Sequence, residues 1–256
     1  MSHAILTDLT KCIGCEACVW ACKEANRLPP EGHDVLSATA WTVLDRIKGV
    51  HVRRQCLHCE QPACVSVCPV GALQKTAAGP VVYDADRCIG CRYCMLGCPF
   101  SIPRYEWDSK VPRVRKCIMC HSRIAHGGQP ACTEACPTGA TVFGDRQELL
   151  ALAHQRIRDE PERYVGRVYG EVEAGGTSVF YISGVPFEEL GFKTELRTEP
   201  YPELTWNILS KLPFVVGTAG LGLVGTFWII NRRRKLAQLR AERQSGGERS
   251  GDEPAL

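Results

Sequence analysis

Sixteen cysteines, grouped in four quartets with none left over, constrain this 256-residue chain more than any other feature. The quartets are Cys12/Cys15/Cys18/Cys22, Cys56/Cys59/Cys64/Cys68, Cys88/Cys91/Cys94/Cys98 and Cys117/Cys120/Cys132/Cys136. Quartets one and three read C-x2-C-x2-C-x3-C. Quartet two widens one gap to four residues, and quartet four inserts eleven between its second and third cysteines. Three closely spaced thiols wrap three corners of a cube and a fourth completes a ligand set elsewhere, which is the spacing of [4Fe–4S] motifs. Proline follows the fourth cysteine in quartets two, three and four (Pro69, Pro99, Pro137), whereas Lys23 follows Cys22. Structural zinc pairs its C-x2-C motifs two by two, and cysteines at these spacings make poor disulfides, so neither alternative matches.

In two-cluster ferredoxins the fourth cysteine of each motif ligates the other cluster. Only the 19 residues Pro69–Arg87 separate quartets two and three, enough for a turn and a hairpin with a strand at Val81-Val82-Tyr83. That spacing predicts one ligand set of Cys56, Cys59, Cys64 and Cys98 and a second of Cys88, Cys91, Cys94 and Cys68. Quartets one and four then pair across them: Cys12, Cys15 and Cys18 with Cys136, and Cys117, Cys120 and Cys132 with Cys22. An internal echo supports the symmetry, since Cys68-Pro-Val-Gly-Ala returns as Cys136-Pro-Thr-Gly-Ala. The expected fold class is α+β: two nested ferredoxin-like units of the bacterial 2[4Fe–4S] type and a C-terminal single transmembrane helix.

The formal net charge is +3 with every cysteine counted as neutral. Sixteen thiolates and four oxidised cubane cores bring the loaded protein to about −5, which removes the case for a nucleic-acid partner. Few large apolar residues lie between Cys56 and Cys136, so the apo chain is expected to fold poorly and the clusters to stand in for a core.

From Leu212 to Ile230 runs a 19-residue stretch without a charge. That approaches the roughly 20 residues needed to cross ~30 Å of hydrocarbon. Thr218, Gly222 and Thr226 repeat at four-residue spacing, as close helix packing in lipid requires, and Trp206 and Trp228 suit the two interfaces. Arg232, Arg233, Arg234 and Lys235 follow the span directly, so the positive-inside rule places the C-terminus in the cytoplasm. The cluster domain is then expected on the periplasmic, outer side of the cytoplasmic membrane. Residues 1–12 read as no signal peptide or twin-arginine motif, so the folded holoprotein is expected to cross with a partner that bears one.

With these motifs on the page, the chain resembles the four-cluster electron-transfer subunits of iron–sulfur molybdoenzymes and of membrane-bound [NiFe]-hydrogenases. The likeness covers about residues 1–195, with all four quartets matching in order and spacing. Residues 40–43, the Cys-Pro-Phe-x-Ile-Pro-Arg run at 98–104 and 128–132 resemble the beta subunits of respiratory formate dehydrogenases. Residues 64–70, 91–95 and 184–187 resemble the iron–sulfur subunit of hydrogenase-2. Nitrate reductase relatives replace one ligand with tryptophan; no quartet here is broken. The resemblance implies a non-catalytic relay carrying four [4Fe–4S] clusters. It would take electrons from a catalytic molybdo- or tungstopterin subunit, or a [NiFe] subunit, and pass them to an integral-membrane cytochrome b or quinone-binding subunit.

Other residues carry open alternatives. Arg92 and Lys116 lie beside ligands and either raise nearby potentials or are solvated or interface charges. His58, inside Cys-Leu-His-Cys, either tunes a cluster or packs a loop, and His121 and His126 face solvent or a partner. Residues 148–158 read as an amphipathic helix and Ser178–Ile182 as a strand. The expected domains are 1–49 with 112–146 and, nested inside them, 50–111. An extended connector at 147–205, a membrane anchor at 206–231 and a disordered cytoplasmic tail at 232–256 complete the chain.

Overall fold

The computed structural model describes residues 2–247. Two compact units divide the chain between Glu203 and Leu204. The first is organised by a three-stranded sheet in which β1 (His3–Asp8) lies between β8 (Thr141–Asp145) and β9 (Val179–Ile182). β1 runs antiparallel to β8, with Thr7 opposite Thr141, and parallel to β9, with Ile5 opposite Val179. Side chains alternate across a strand, so β1 serves two cores. Ala4 and Leu6 pack with Phe180, Ile182, Tyr164, Val168 and the buried Leu149, Leu150 and Ala153. Ile5 faces the other way, among Val179, Tyr181, Val52, Leu57, Met119, Phe187 and Leu190.

Leu149, Leu150 and Ala153 belong to α6 (Arg146–Asp159), which matches the helix expected over 148–158. Asp145 caps it, its Oδ1 accepting from the amides of Gln147 at 2.8 Å and Glu148 at 3.4 Å. Arg156 in the last turn suits the negative end of the helix dipole and reaches back to Asp8 at 3.1 Å. Asp8 is fully buried yet fully partnered, since Tyr164 Oη and Thr10 also donate to it. This polar knot ties the end of β1, four residues before Cys12, to α6.

The cysteine loops hang from this frame on short elements: α1 (Ala17–Ala25), the hairpin β2–β3 (Val43–Ile47, Val50–Arg54), α2 (Ala63–Ser66), the hairpin β4–β5 (Leu73–Lys75, Val81–Tyr83) and α3 (Tyr93–Gly97). The ribbon β6–β7 (Arg104–Tyr105, Val114–Arg115) and helices α4 (His121–Ala125) and α5 (Ala131–Glu134) complete the set. The hairpin expected between quartets two and three is β4–β5, with Leu73 opposite Tyr83.

The expectation of an extended connector over 147–205 is corrected. Beyond α6, Tyr164, Val168, Tyr169, Phe187 and Leu190 are buried, and β9 completes the sheet. Tyr169, Tyr181, Phe187 and Phe192 pack ring against ring at centroid distances of 4.6–6.3 Å. Ser178 donates its hydroxyl to Glu60 at 2.7 Å and its amide to the carbonyl of Leu57, docking the segment on quartet two. The Gly, Pro and Glu content suggested a linker, but scattered aromatic side chains in an irregular segment bury as much surface as a helix face while showing no period.

Past Leu204 lie the rest of α7 (Tyr201–Leu209) and α8 (Leu212–Gly247). The apolar window of this region has a mean hydropathy of 1.7 and none of it is buried, so among the described residues one helix is long and apolar enough to cross a membrane. Thr218 and Thr226 return their hydroxyls to the carbonyls of Phe214 and Gly222 at 2.9 and 2.8 Å, as a helix in hydrocarbon would need. The 36 residues of α8 extend roughly 54 Å, well past the apolar stretch. Residues 232–247, expected as part of a disordered tail, are helical, and 248–256 lie outside the described residues.

Candidate metal centres

Each Cys-x-x-Cys loop bends in the same way. The residue before its second cysteine has positive φ: Gly14 (75°), His58 (49°), Gly90 (71°) and Met119 (54°). This bend turns the residue's amide back on the preceding thiol, so Gly90 N lies 3.4 Å from Cys88 Sγ and Met119 N 3.3 Å from Cys117 Sγ. The amide of Gly14 likewise bonds Cys12. A side chain at position 14 would also strike the ring of His51, 2.3 Å from an added Cβ. In quartets one and three a second left-handed residue, Glu16 or Arg92, starts α1 or α3 and sets Cys18 or Cys94 in its first turn.

The fourth cysteines share another turn. After Cys68-Pro, Cys98-Pro and Cys136-Pro, the third residue along is left-handed: Gly71 (62°), Ser101 (54°) and Gly139 (59°). Backbone amides then converge on the sulfur: Ala72 N on Cys68 at 3.3 Å, residues 100–102 on Cys98, and residues 138, 140 and 141 on Cys136. Cys22 differs because it lies inside α1, where proline at 23 would remove an amide and clash with the preceding turn. Lys23 is buried instead, its ammonium donating to the carbonyls of Pro29, Glu31 and Thr39 at 2.6, 2.9 and 3.1 Å. Asn26 Nδ2 approaches Cys22 Sγ at 3.6 Å.

The fold brings thiols together across the quartets. One cavity is lined by Cys12, Cys15, Cys18 and Cys136, another by Cys68, Cys88, Cys91 and Cys94. Burial pushes the Cys22 thiol up to about 12, and neighbouring Cys132, Cys120 and Cys18 push the same way. Cys59 is raised by burial and by Cys56, Cys98 and Cys64. Cys94 rises to about 11 through burial and then through Cys68, Cys88 and Cys91. Between these groups Cys18 feels Cys132, Cys117 feels Cys56, and Cys64 feels Cys94. These thiols resist ionisation chiefly because burial penalises the thiolate and then because neighbouring thiolates repel it, whereas hydrogen bonds from Tyr83 and from backbone amides hold Cys88 and Cys136 below the ordinary thiol range. A bound cationic core inverts that logic and makes the same crowding a ligand cage. The donor set therefore fits iron–sulfur clusters, with amides already aimed at the sulfurs.

Three buried basic groups stand among these cages. Lys116 Nζ donates to the carbonyls of Val81 and Cys117 at 2.5 and 2.9 Å. The Nδ1 of His58 accepts from Val81 N at 2.9 Å, which leaves its other nitrogen buried without a protein partner. Desolvation, then Lys116 and Lys75, holds His58 well below its ordinary pKa, so it is a packed neutral ring. Arg53, unremarked in the sequence, is 2% exposed and lines the cavity of Cys12, Cys15, Cys18 and Cys136. Burial disfavours its charge, but Cys132, Cys18, the phenol of Tyr181 and Cys117 more than offset this and raise its pKa. Nothing in Val50-His-Val-Arg-Arg54 distinguishes it from Arg54, because burial there is set by what packs over β3. Arg92 points outward instead, stacking on Tyr105 and Trp107 at 5.4 and 5.3 Å. His126 is exposed and His121 partly so.

Two family models, each described as a 4Fe-4S dicluster domain, match residues 47–146 and 11–72. A protein of Nitratidesulfovibrio vulgaris is 43% identical over 254 residues, covering 92% of this chain and 69% of the relative. The hydrogenase-2 operon protein HybA of Escherichia coli O157:H7 is 35% identical over 236 residues, covering 74% and 72%. The iron–sulfur subunit of the nitrate-inducible formate dehydrogenase of Escherichia coli K12 is 40% identical over 200 residues, covering 70% and 67%. Two dicluster domains and sixteen cysteines mean four [4Fe–4S] clusters. The chain belongs to the family of 4Fe–4S dicluster proteins that contains the formate dehydrogenase iron–sulfur subunits and the hydrogenase-2 operon protein.

Proposed function

We propose that this chain is the electron-transfer subunit of a membrane-bound respiratory oxidoreductase and carries no catalytic residue of its own. Its ligand sets are Cys12/Cys15/Cys18/Cys136, Cys22/Cys117/Cys120/Cys132, Cys56/Cys59/Cys64/Cys98 and Cys68/Cys88/Cys91/Cys94, the nested arrangement of two ferredoxin-like units. The observation that carries the reading is the continuous line of thiols. The electrostatic influence of Cys132 on Cys18, of Cys56 on Cys117 and of Cys94 on Cys64 links the four sets in that order. When bound, the clusters supply reversible one-electron chemistry; the chain spaces them, buries the two central sets and aims amides at their sulfurs. Exposed apolar side chains rim both ends: Ile13 and Trp20 at the first set, Ile89, Tyr93 and Leu96 at the last. Such rims suit partner subunits that dry the ends of the path.

A molybdo- or tungstopterin catalytic subunit supplies the electrons and an integral-membrane cytochrome b or quinone-binding subunit receives them. The formate dehydrogenase relatives favour formate as reductant. The longer alignment to HybA, 236 residues against 200, keeps a [NiFe] partner as the second reading. The apolar helix argues against a free polyferredoxin carrier. Arg232 to Lys235 after the span support a cytoplasmic C-terminus and a cluster domain on the periplasmic side. Purification from native membranes tests the assignment: about 16 iron per chain and a co-purifying large subunit with molybdenum, tungsten or nickel are expected. A colourless protein without such a partner would sink it. Protease treatment of intact spheroplasts should cleave the cluster domain; full protection would reverse the orientation.

A further inference from the structure

Arg53 is a buried charge with no acidic partner. Its Nε donates to Thr42 Oγ1 at 3.2 Å and its Nη2 to Gln55 Oε1 at 2.5 Å, both neutral acceptors. Nη1 is buried with no partner, and among the described residues Arg53 forms no ion pair. A guanidinium cannot escape by losing its proton, and an uncompensated buried charge is costly. Its counter-charge comes from the thiols around it: those of the cavity it lines and, from the neighbouring set, Cys132 and Cys117. Besides Cys12, Cys15, Cys18 and Cys136, that cavity offers only one carboxylate, Glu16, which turns to His33 at 3.8 Å. The other walls come from neutral residues such as Thr7, Leu44 and Thr141.

We propose that Arg53 is the built-in counter-charge of the centre held by Cys12, Cys15, Cys18 and Cys136, with Nη1 donating into that ligand set and raising its reduction potential. This rests on the ligand sets proposed above. Each added electron makes the ligand set more negative, so a fixed cation sealed beside it favours the reduced state. Cys18, Cys22 and Cys120 all sense the same cation, so the neighbouring set is influenced too. Because Arg53 is closed off from solvent, salt does not screen it. Lys116 cannot substitute, since carbonyl oxygens already hold its ammonium.

The test uses the full chain in its native complex, comparing wild type, R53M and R53K by iron content and EPR-monitored redox titration. In R53M one centre is expected to become harder to reduce by about tenfold, 59 mV for a one-electron couple, at low and high salt alike. R53K should recover most of that shift. Assembly of this centre in R53K but not in R53M would also support the counter-charge role. Unmoved potentials in fully loaded R53M would overturn it. So would equal shifts in the two variants, or loss of the centre from both, which would mark Arg53 as a packing residue. A wild-type protein lacking the centre altogether would bring down the ligand assignment as well, which separates the two failures.

Discussion

Cys22 and Lys23 show how one side chain can replace a turn. Where the other fourth cysteines use proline and a left-handed residue to gather amides, Cys22 sits on a helix and Lys23 fastens the following loop through three carbonyls. Lys23→Met should leave those acceptors unpaired in a buried place, at a cost of at least about 2 kcal/mol. A lower denaturation midpoint and faster proteolysis within residues 27–40 would register it; wild-type values for both would refute the role. The pairing of cysteines is decided residue by residue as well. Cys136→Ala is expected to damage the centre of Cys12, Cys15 and Cys18 and to spare that of Cys117, Cys120 and Cys132. EPR spectra of the reduced protein separate the two cases, and the reverse pattern would undo the nested assignment. The thiols' presence was legible from spacing. Their partners across the fold were visible only through the analogy of two-cluster ferredoxins, and Arg53 was not visible at all.

Elements with a period were legible and those without one were not. Residues 148–158 repeat their apolar positions as a helix must, and the structure extends that helix to Arg146–Asp159 because Asp145 caps it. Asp145→Ala should cost about 1 kcal/mol, seen as a shift in denaturant midpoint with unchanged slope; no shift would mean that packing alone holds the helix end. β9 was also readable as a strand, but not its place. Paired in parallel with β1, it lies some 170 positions along the chain from its partner, as Ile5 opposite Val179 shows. The segment between α6 and β9 looked like linker because it is rich in Gly, Pro and Glu, yet its aromatic residues, which follow no period, help to close the core.

At the scale of the whole molecule, two kinds of stabilisation divide the labour. The sheet β8-β1-β9 with α6 and residues 164–192 has apolar cores of its own. The region of quartets two and three has a much smaller cluster in which Cys64 and Cys94 themselves take part. Removing iron should therefore unfold the chain unevenly. Hydrogen exchange on chelated protein is expected to show β1, β8, β9 and α6 still protected while the β4–β5 hairpin and α3 exchange rapidly. Uniform collapse would mean that the clusters hold the sheet too. The number and kind of centres, and the apolar span, were determined by sequence alone. In quartets one and three, three thiols within seven residues meet whatever the rest of the chain does, and an uncharged apolar run needs no partner to be recognised. Which distant cysteine lines a cavity with each triplet, which arginine is buried there and what becomes of residues 160–192 are set by tertiary structure. Those outcomes depend on pairings such as Thr7 with Thr141, whose residues are distant in sequence and meet only when the sheet closes.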